Sequence, residues 1–373
     1  MMTKYSTRLT TKQFDKMSPS ISLQKVETLV KLDWPHCIAR VNVTEDSFII
    51  GFKDNYIFWK PGQSLDSTER VACDSNLMSV VYYRGLAILI GFNEDIKIQN
   101  TKTGQIVWTA GLRIPPRFSR VYSSYSKKVM RFRDKIYLIT NMFNDLVEID
   151  LNLLIPRIEQ GTATPHDYIK IGQNVTEMTV NPRNQDIYYL KDDGSFYLRK
   201  TRLGTCKHHD VHYTCIAAIN NSIIIGIEGH PSHITHKACA IELYNNRGRL
   251  LDTAIDTADD RGRLPVRDVI VFTHRQVVMC MAVKCVAVVR LYAVFDDRLH
   301  VLNSGEGREL CFDEKLILKA MKVKGDGKFI ILTQDSLISV KLCMGEKYLN
   351  FFASEVYAYG VWRSEERRVG KEC

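Results

Sequence analysis

Apolar residues along this chain gather in short runs broken by polar turns, and two of those runs repeat. Ile49-Ile50-Gly51-Phe52-Lys53-Asp54-Asn55-Tyr56 aligns without a gap on Leu89-Ile90-Gly91-Phe92-Asn93-Glu94-Asp95-Ile96, 40 residues further along. The same order of apolar run, polar turn and further runs recurs around Ile136, Ile187, Ile223, Val277 and Phe329. The steps are close to the roughly 40 to 50 residues expected when each repeat is one small sheet. Within the repeats the period is that of strands. Ala39, Val41 and Val43 alternate with Arg40 and Asn42, as a half-buried strand requires. Ile223-Ile224-Ile225-Gly226-Ile227, Val269-Ile270-Val271-Phe272 and Phe329-Ile330-Ile331-Leu332 are apolar throughout and must be covered on both faces. Asp193-Gly194, Asn220-Asn221-Ser222 and Gly325-Asp326-Gly327 supply tight links. No long helical periodicity interrupts the pattern, which speaks against alternating strands and helices.

An all-β fold follows, and radial stacking of small sheets gives the wholly apolar strands their double cover. The expectation is a β-propeller of about seven four-stranded antiparallel blades, with core regions at 37–73, 77–110, 127–160, 175–210, 214–255, 266–305 and 317–354. Lys25 to Leu32, with apolar Val26, Leu29 and Val30, is expected to pair with the last blade as a closing strand. Over most of residues 25–354 this pattern resembles the WD-repeat-like β-propeller superfamily. The resemblance is one of architecture, since the Gly-His and Trp-Asp signatures are absent and neither Trp59 nor Trp108 is followed by Asp. It implies a protein-interaction scaffold.

Three segments are expected. Residues 1–24, rich in Ser, Thr and Lys, read as a disordered basic arm. Residues 25–362 form the single propeller. Residues 363–373 resemble the in-frame translation of a sequencing adapter, which implies a non-native tail and no role for Cys373, and leaves open whether the natural chain continues beyond Trp362.

Composition narrows the class. Of 373 residues, 45% are hydrophobic and 25% charged, enough for a buried core and too apolar for global disorder. The net charge of +9 is mostly dispersed. Ten cysteines without framework spacing, and no apolar signal core in the first thirty residues, point to reduced thiols and a cytoplasmic or nuclear location. Val277 to Phe295 imitates a membrane span, but Lys284 and Arg290 interrupt it at about 2.5–3.5 kcal/mol each near a bilayer centre. Its Val-rich content suits strands, so no membrane span is expected.

Candidate chemistry lies in three clusters. Cys206, His208, His209, His212 and Cys215 precede His230, His233, His236 and Cys239, so that six of the ten histidines fall between positions 208 and 236. Imidazole and thiolate suit zinc, which takes four such ligands. The set Cys206, His208, His212, His233 and His236 would serve a metal-dependent hydrolase, although the spacing matches no standard zinc module. A basic run, Arg113, Arg117, Arg120, Lys127, Lys128, Arg131, Arg133 and Lys135, interleaved with Phe118, Tyr122 and Tyr125, offers charge and rings to an acidic protein or to single-stranded nucleic acid. Asp252, Asp256, Asp259 and Asp260 are followed at once by Arg261, Arg263 and Arg267 and read as a self-neutralised loop. Nucleophile-elbow, phosphate-loop and metalloprotease motifs are absent. The leading expectation is therefore a non-catalytic scaffold, without cofactor or catalytic residue, that binds other proteins.

Overall fold

The computed structural model describes residues 21–42, 47–73, 77–91, 95–111, 129–140, 144–206, 212–230, 238–256, 266–274, 277–284, 286–295, 297–302, 310–322 and 327–344. The chain opens with β1 (Ile21–Lys31), which waits for its partner until the far end of the sequence. The first blade is β2 (Cys37–Asn42), β3 (Ser47–Gly51), β4 (Asn55–Trp59) and β5 (Arg70–Ala72). The second is β6 (Leu77–Tyr83), β7 (Leu86–Gly91), β8 (Asp95–Asn100) and β9 (Ile106–Gly111). The third is β10 (Val129–Phe132), β11 (Lys135–Ile139), β12 (Leu146–Asp150) and, after helix α1 (Leu151–Glu159), β13 (Ile169–Gly172). The fourth holds β14 (Val175–Val180), β15 (Ile187–Lys191), β16 (Ser195–Leu198) and β17 (Thr201–Thr205). The fifth holds β18 (His212–Ile219), β19 (Ser222–His230), β20 (Ala238–Asn245) and β21 (Leu250–Asp256). The sixth is β22 (Val266–His274), β23 (Val277–Lys284), β24 (Val286–Phe295) and β25 (Arg298–Val301). The seventh is β26 (Leu310–Lys322), β27 (Lys328–Thr333) and β28 (Ser336–Met344), completed by β1. The result is seven four-stranded antiparallel blades in a ring.

Seven hydrophobic clusters of described residues hold the ring, one at each junction between neighbouring blades. The wholly apolar second strands make this possible, because successive side chains of a strand point to opposite faces. Ile223 and Ile225 enter the cluster shared with the fourth blade, while Ile224 enters the one shared with the sixth. Ile49 faces the second blade and Ile50 the seventh. Burying each such side chain contributes about 1.5–3 kcal/mol. The seventh junction, where Ile330, Leu332 and Leu337 meet Ile38, Phe48 and Trp59, closes the circle.

Glycine recurs for a steric reason. Gly51 lies opposite Cys37 and Gly226 opposite Cys215 in the first-to-second strand ladders. A Cβ on either glycine would stand 2.5 Å from the partner Sγ, so the neighbouring sulfur fills the space a side chain would need.

Three details depart from the sequence reading. The closing strand begins at Ile21, inside the stretch 1–24 assigned to the arm, because Ile21 and Leu23 are buried while Ser22 and Gln24 alternate with them. The third blade does not end near residue 160. Asp150 caps α1, its carboxylate accepting from Asn152 N at 3.0 Å, and the helix postpones the outer strand to Ile169. The seventh blade's own ladder begins at Ile317, opposite Thr333, but the strand that carries it starts earlier, at Leu310, and its early part pairs with β24, Val289 lying opposite Leu310, which joins the sixth and seventh sheets at one end. Val277 to Phe295 is a strand pair, β23 and β24, and no helix among the described residues is long and apolar enough to cross a membrane.

Candidate interaction surface

Each blade presents two kinds of connection. Turns between its first and second and between its third and fourth strands lie on one rim, the turn rim. Turns between second and third strands, and the links to the next blade, lie on the opposite rim, the link rim.

Two grooves open on the turn rim, one on each side of the third blade. The first, about 510 Å³, lies between the second blade and α1, with Arg84, Lys102, Asn152, Ile155 and Glu159 among its walls. The second, about 610 Å³, separates the third and fourth blades and is bordered by Arg133, Lys135, Tyr137, Glu148, Arg199 and Lys200. Between them stands α1, whose Leu151 and Leu154 are buried while Leu153 is 66% exposed.

The first groove is pinned by a buried ring. The Tyr83 hydroxyl donates to Asp134 Oδ1 at 2.6 Å across the boundary between second and third blades. Guanidinium groups of Arg84 and Arg131 each lie 5.0 Å from the Tyr83 ring centroid, a favourable placement of cations over a π-face. Burial, and then the bond to Asp134, raise the Tyr83 pKa, whereas the hydrogen bonds of Tyr83 and Asn152 hold the Asp134 carboxyl below its ordinary range. In the second groove Lys135 bridges Glu148 and Asp150, the latter at 4.0 Å. Burial and the adjacent Glu148 push Tyr137 up to about 12.

The residues singled out in the sequence are distributed as follows. Of the basic run, Arg113, Arg117, Phe118, Arg120, Tyr122, Tyr125, Lys127 and Lys128 lie outside the described residues, between β9 and β10, whose flanking ends are on the link rim. Arg131 is engaged within the protein, its Nε donating to Arg133 O at 2.8 Å and its Nη1 to Tyr82 O while its guanidinium covers Tyr83. Of the proposed zinc ligands, His208, His233 and His236 lie outside the described residues, and His212 opens β18. Cys206 is buried, with Tyr188, Phe196 and Ile216, in the junction between fourth and fifth blades. Burial pushes its thiol up to about 12, so it is held protonated there. Among the described residues no three His, Cys, Asp or Glu side chains are grouped to hold a metal ion. Asp252 accepts from Leu299 N at 2.7 Å and ties the fifth blade to the sixth, while Asp259, Asp260, Arg261 and Arg263 lie outside the described residues.

Sequence reasoning missed the turn-rim residues Arg84 and Arg199, although it included Arg133 at the end of the basic run. Arg84, Arg133 and Arg199 each take the first position of a two-residue turn with positive φ, at 47°, 53° and 52°. That region disfavours side chains by about 1–2 kcal/mol. Only Arg84-Gly85 carried a usable signal, the glycine that such a turn favours.

The ring of seven blades defines a seven-bladed β-propeller. No family model matches the sequence, and no curated protein matches it. Solved structures match its fold: the N-terminal domain of Nup159 at a TM-score of 0.56 and 10% identity, over 88% of this chain and 97% of that one. The C-terminal WD40 domain of Sif2 matches at 0.51 and 11%, over 88% and 91%, and a chain of the mitotic checkpoint complex at 0.54 and 10%, over 87% and 93%.

Proposed function

We propose that this chain is a non-catalytic protein-interaction scaffold that receives its partners on the turn rim. One observation carries the reading: two grooves flank α1 on the same rim, and the helix raises Leu153 into solvent between them. A rigid ring with an exposed apolar side chain set between polar grooves has the form of an interface with a small apolar centre and a polar surround. The WD40 fold is typical of interaction scaffolds, and one of the similar structures is itself part of a multiprotein complex, the mitotic checkpoint complex.

The test is photo-crosslinking in cells with a benzophenone amino acid placed at Leu153, and at Val26 on the closing strand for comparison. Discrete protein adducts from position 153, lost when Lys102 and Glu159 are both replaced by Ala, are the expected result. If neither position yields a protein adduct, the scaffold reading falls.

A further inference from the structure

On the turn rim of the fourth and fifth blades, four turns come together from distant parts of the sequence. Asn181 Nδ2 donates to Asn220 O at 3.0 Å and Arg183 Nη1 to Asn220 Oδ1 at 3.3 Å, which joins the 181–186 turn to the Asn220-Asn221 turn. Arg199 N donates to Ile187 O at 2.9 Å and its Nε lies 3.3 Å from Asp186, which adds the Arg199-Lys200 turn. Gly248 presses on the neighbouring β17 so closely that a Cβ there would stand 2.2 Å from Leu203 O, which brings in residues 245–249.

These turns carry Arg183, Arg199, Lys200, Arg247 and Arg249, all exposed, against one carboxylate, Asp186, already engaged by Arg199. Five cations within a patch of adjoining turns repel one another, and at ionic strengths where the screening length is about 8–10 Å that repulsion is relieved most effectively by a bound polyanion. The remaining side chains favour one kind. Phe, Tyr and Trp are absent from these four turns, which removes the stacking platform that a single-stranded nucleic acid uses. Exposed Asn221 and Asn246 instead offer amides to the backbone of an extended peptide.

We infer that the turn rim of the fourth and fifth blades is a docking surface for an acidic segment of a partner protein, rich in Asp and Glu. This rests on the scaffold reading above and specifies the chemistry of one partner. Arg199 holds its guanidinium toward Asp186 from a strained turn, while Lys200, Arg247 and Arg249 make no ion pair among the described residues and are left to meet the partner's carboxylates. Such an interface acts chiefly on association rate and specificity, and it weakens with salt.

The experiment measures fluorescence anisotropy of a labelled peptide of alternating Glu and Asp with the full chain, beside a labelled oligouridine. The variant K200E/R247E/R249E reverses the free cations of the patch, and K31E/K53E/K341E makes the same change of charge elsewhere. Peptide affinity is expected to fall at least about tenfold in the patch variant and less than about twofold in the control, and to fall for the parent chain as salt rises from about 50 to about 200 mM. If the patch variant melts below the parent, K200Q/R247Q/R249Q takes its place, with a loss of several-fold expected. Equal loss in patch and control variants, a salt-independent affinity, or binding of oligouridine without the peptide would each overturn the inference. Persistent crosslinking from position 153 in any of those cases leaves the scaffold reading standing, so the two fail separately.

Discussion

Tyr83 and Asp134, 51 positions apart, form a 2.6 Å hydrogen bond that locks the second blade to the third on the same rim that carries both grooves. Two guanidinium groups lie 5.0 Å from the ring, which is almost completely buried, and Asn152 Oδ1 lies 3.2 Å from the same hydroxyl as a second acceptor. Packing and polar satisfaction are therefore combined in one side chain.

Tyr83→Phe keeps the ring and removes the donor. We expect a loss of about 1–3 kcal/mol in urea unfolding, the range for a charged acceptor deprived of a buried partner. Tyr83→Ala, which also removes the ring that both guanidinium groups lie over, should cost about 3–5 kcal/mol.

Asp134 gives this junction a pH dependence. Its folded pKa lies below the ordinary 3.8, so the stability it contributes is present above that value and is lost as pH falls through the folded pKa. Asp134→Asn should therefore be less stable than the parent at neutral pH. The gap should narrow in acid, and a constant gap in denaturant midpoints across the acid range would contradict the assignment.

Cys206 acts in the opposite direction. Its thiol is raised from 9.0 to about 12, so folding keeps a proton that the unfolded chain releases above pH 9. Stability from this group is full below 9 and drains away between about 9 and 12. In the native chain near pH 8, iodoacetamide should modify the partly exposed Cys343 well before Cys206, as peptide mass spectrometry would show.

Gly248 and Gly62 separate two costs of adding a methyl group. Both have positive φ, at 78° and 84°, but only Gly248 faces another backbone within 4 Å, Leu203 O at 2.2 Å. Gly62→Ala should cost about 1 kcal/mol from the dihedral alone. Gly248→Ala should cost clearly more in thermal melts, because the fourth and fifth blades must separate to admit it.

Ring closure depends on β1. Ile21→Ala should destabilise by about 2–5 kcal/mol and raise amide exchange along both β1 and β28, whose ladder runs from Ile21 opposite Met344 to Lys31 opposite Ser336. Exchange confined to β1 would show that the last blade does not need it.

The sequence alone determined the strand period and the second strand of every blade, and it put the number of blades at about seven, which the pairing of β1 with β28 made exact. Residues such as Ile223, Ile224 and Ile225 are apolar in succession because both of their faces are covered, and that demand is local enough to read directly. It also marked the closing strand, but placed its start late, since polar Ser22 and Gln24 dilute buried Ile21 and Leu23. Helix α1 was too short, with Pro156 inside it and only Leu151 and Leu154 buried, to leave a helical signature. Tertiary structure alone decided the surfaces. Lys200 and Arg247 are ordinary exposed residues in sequence, and they become neighbours only because antiparallel strands return every such turn to the same rim. Contacts across a ring follow from where chain reversals fall in space, which no local periodicity encodes.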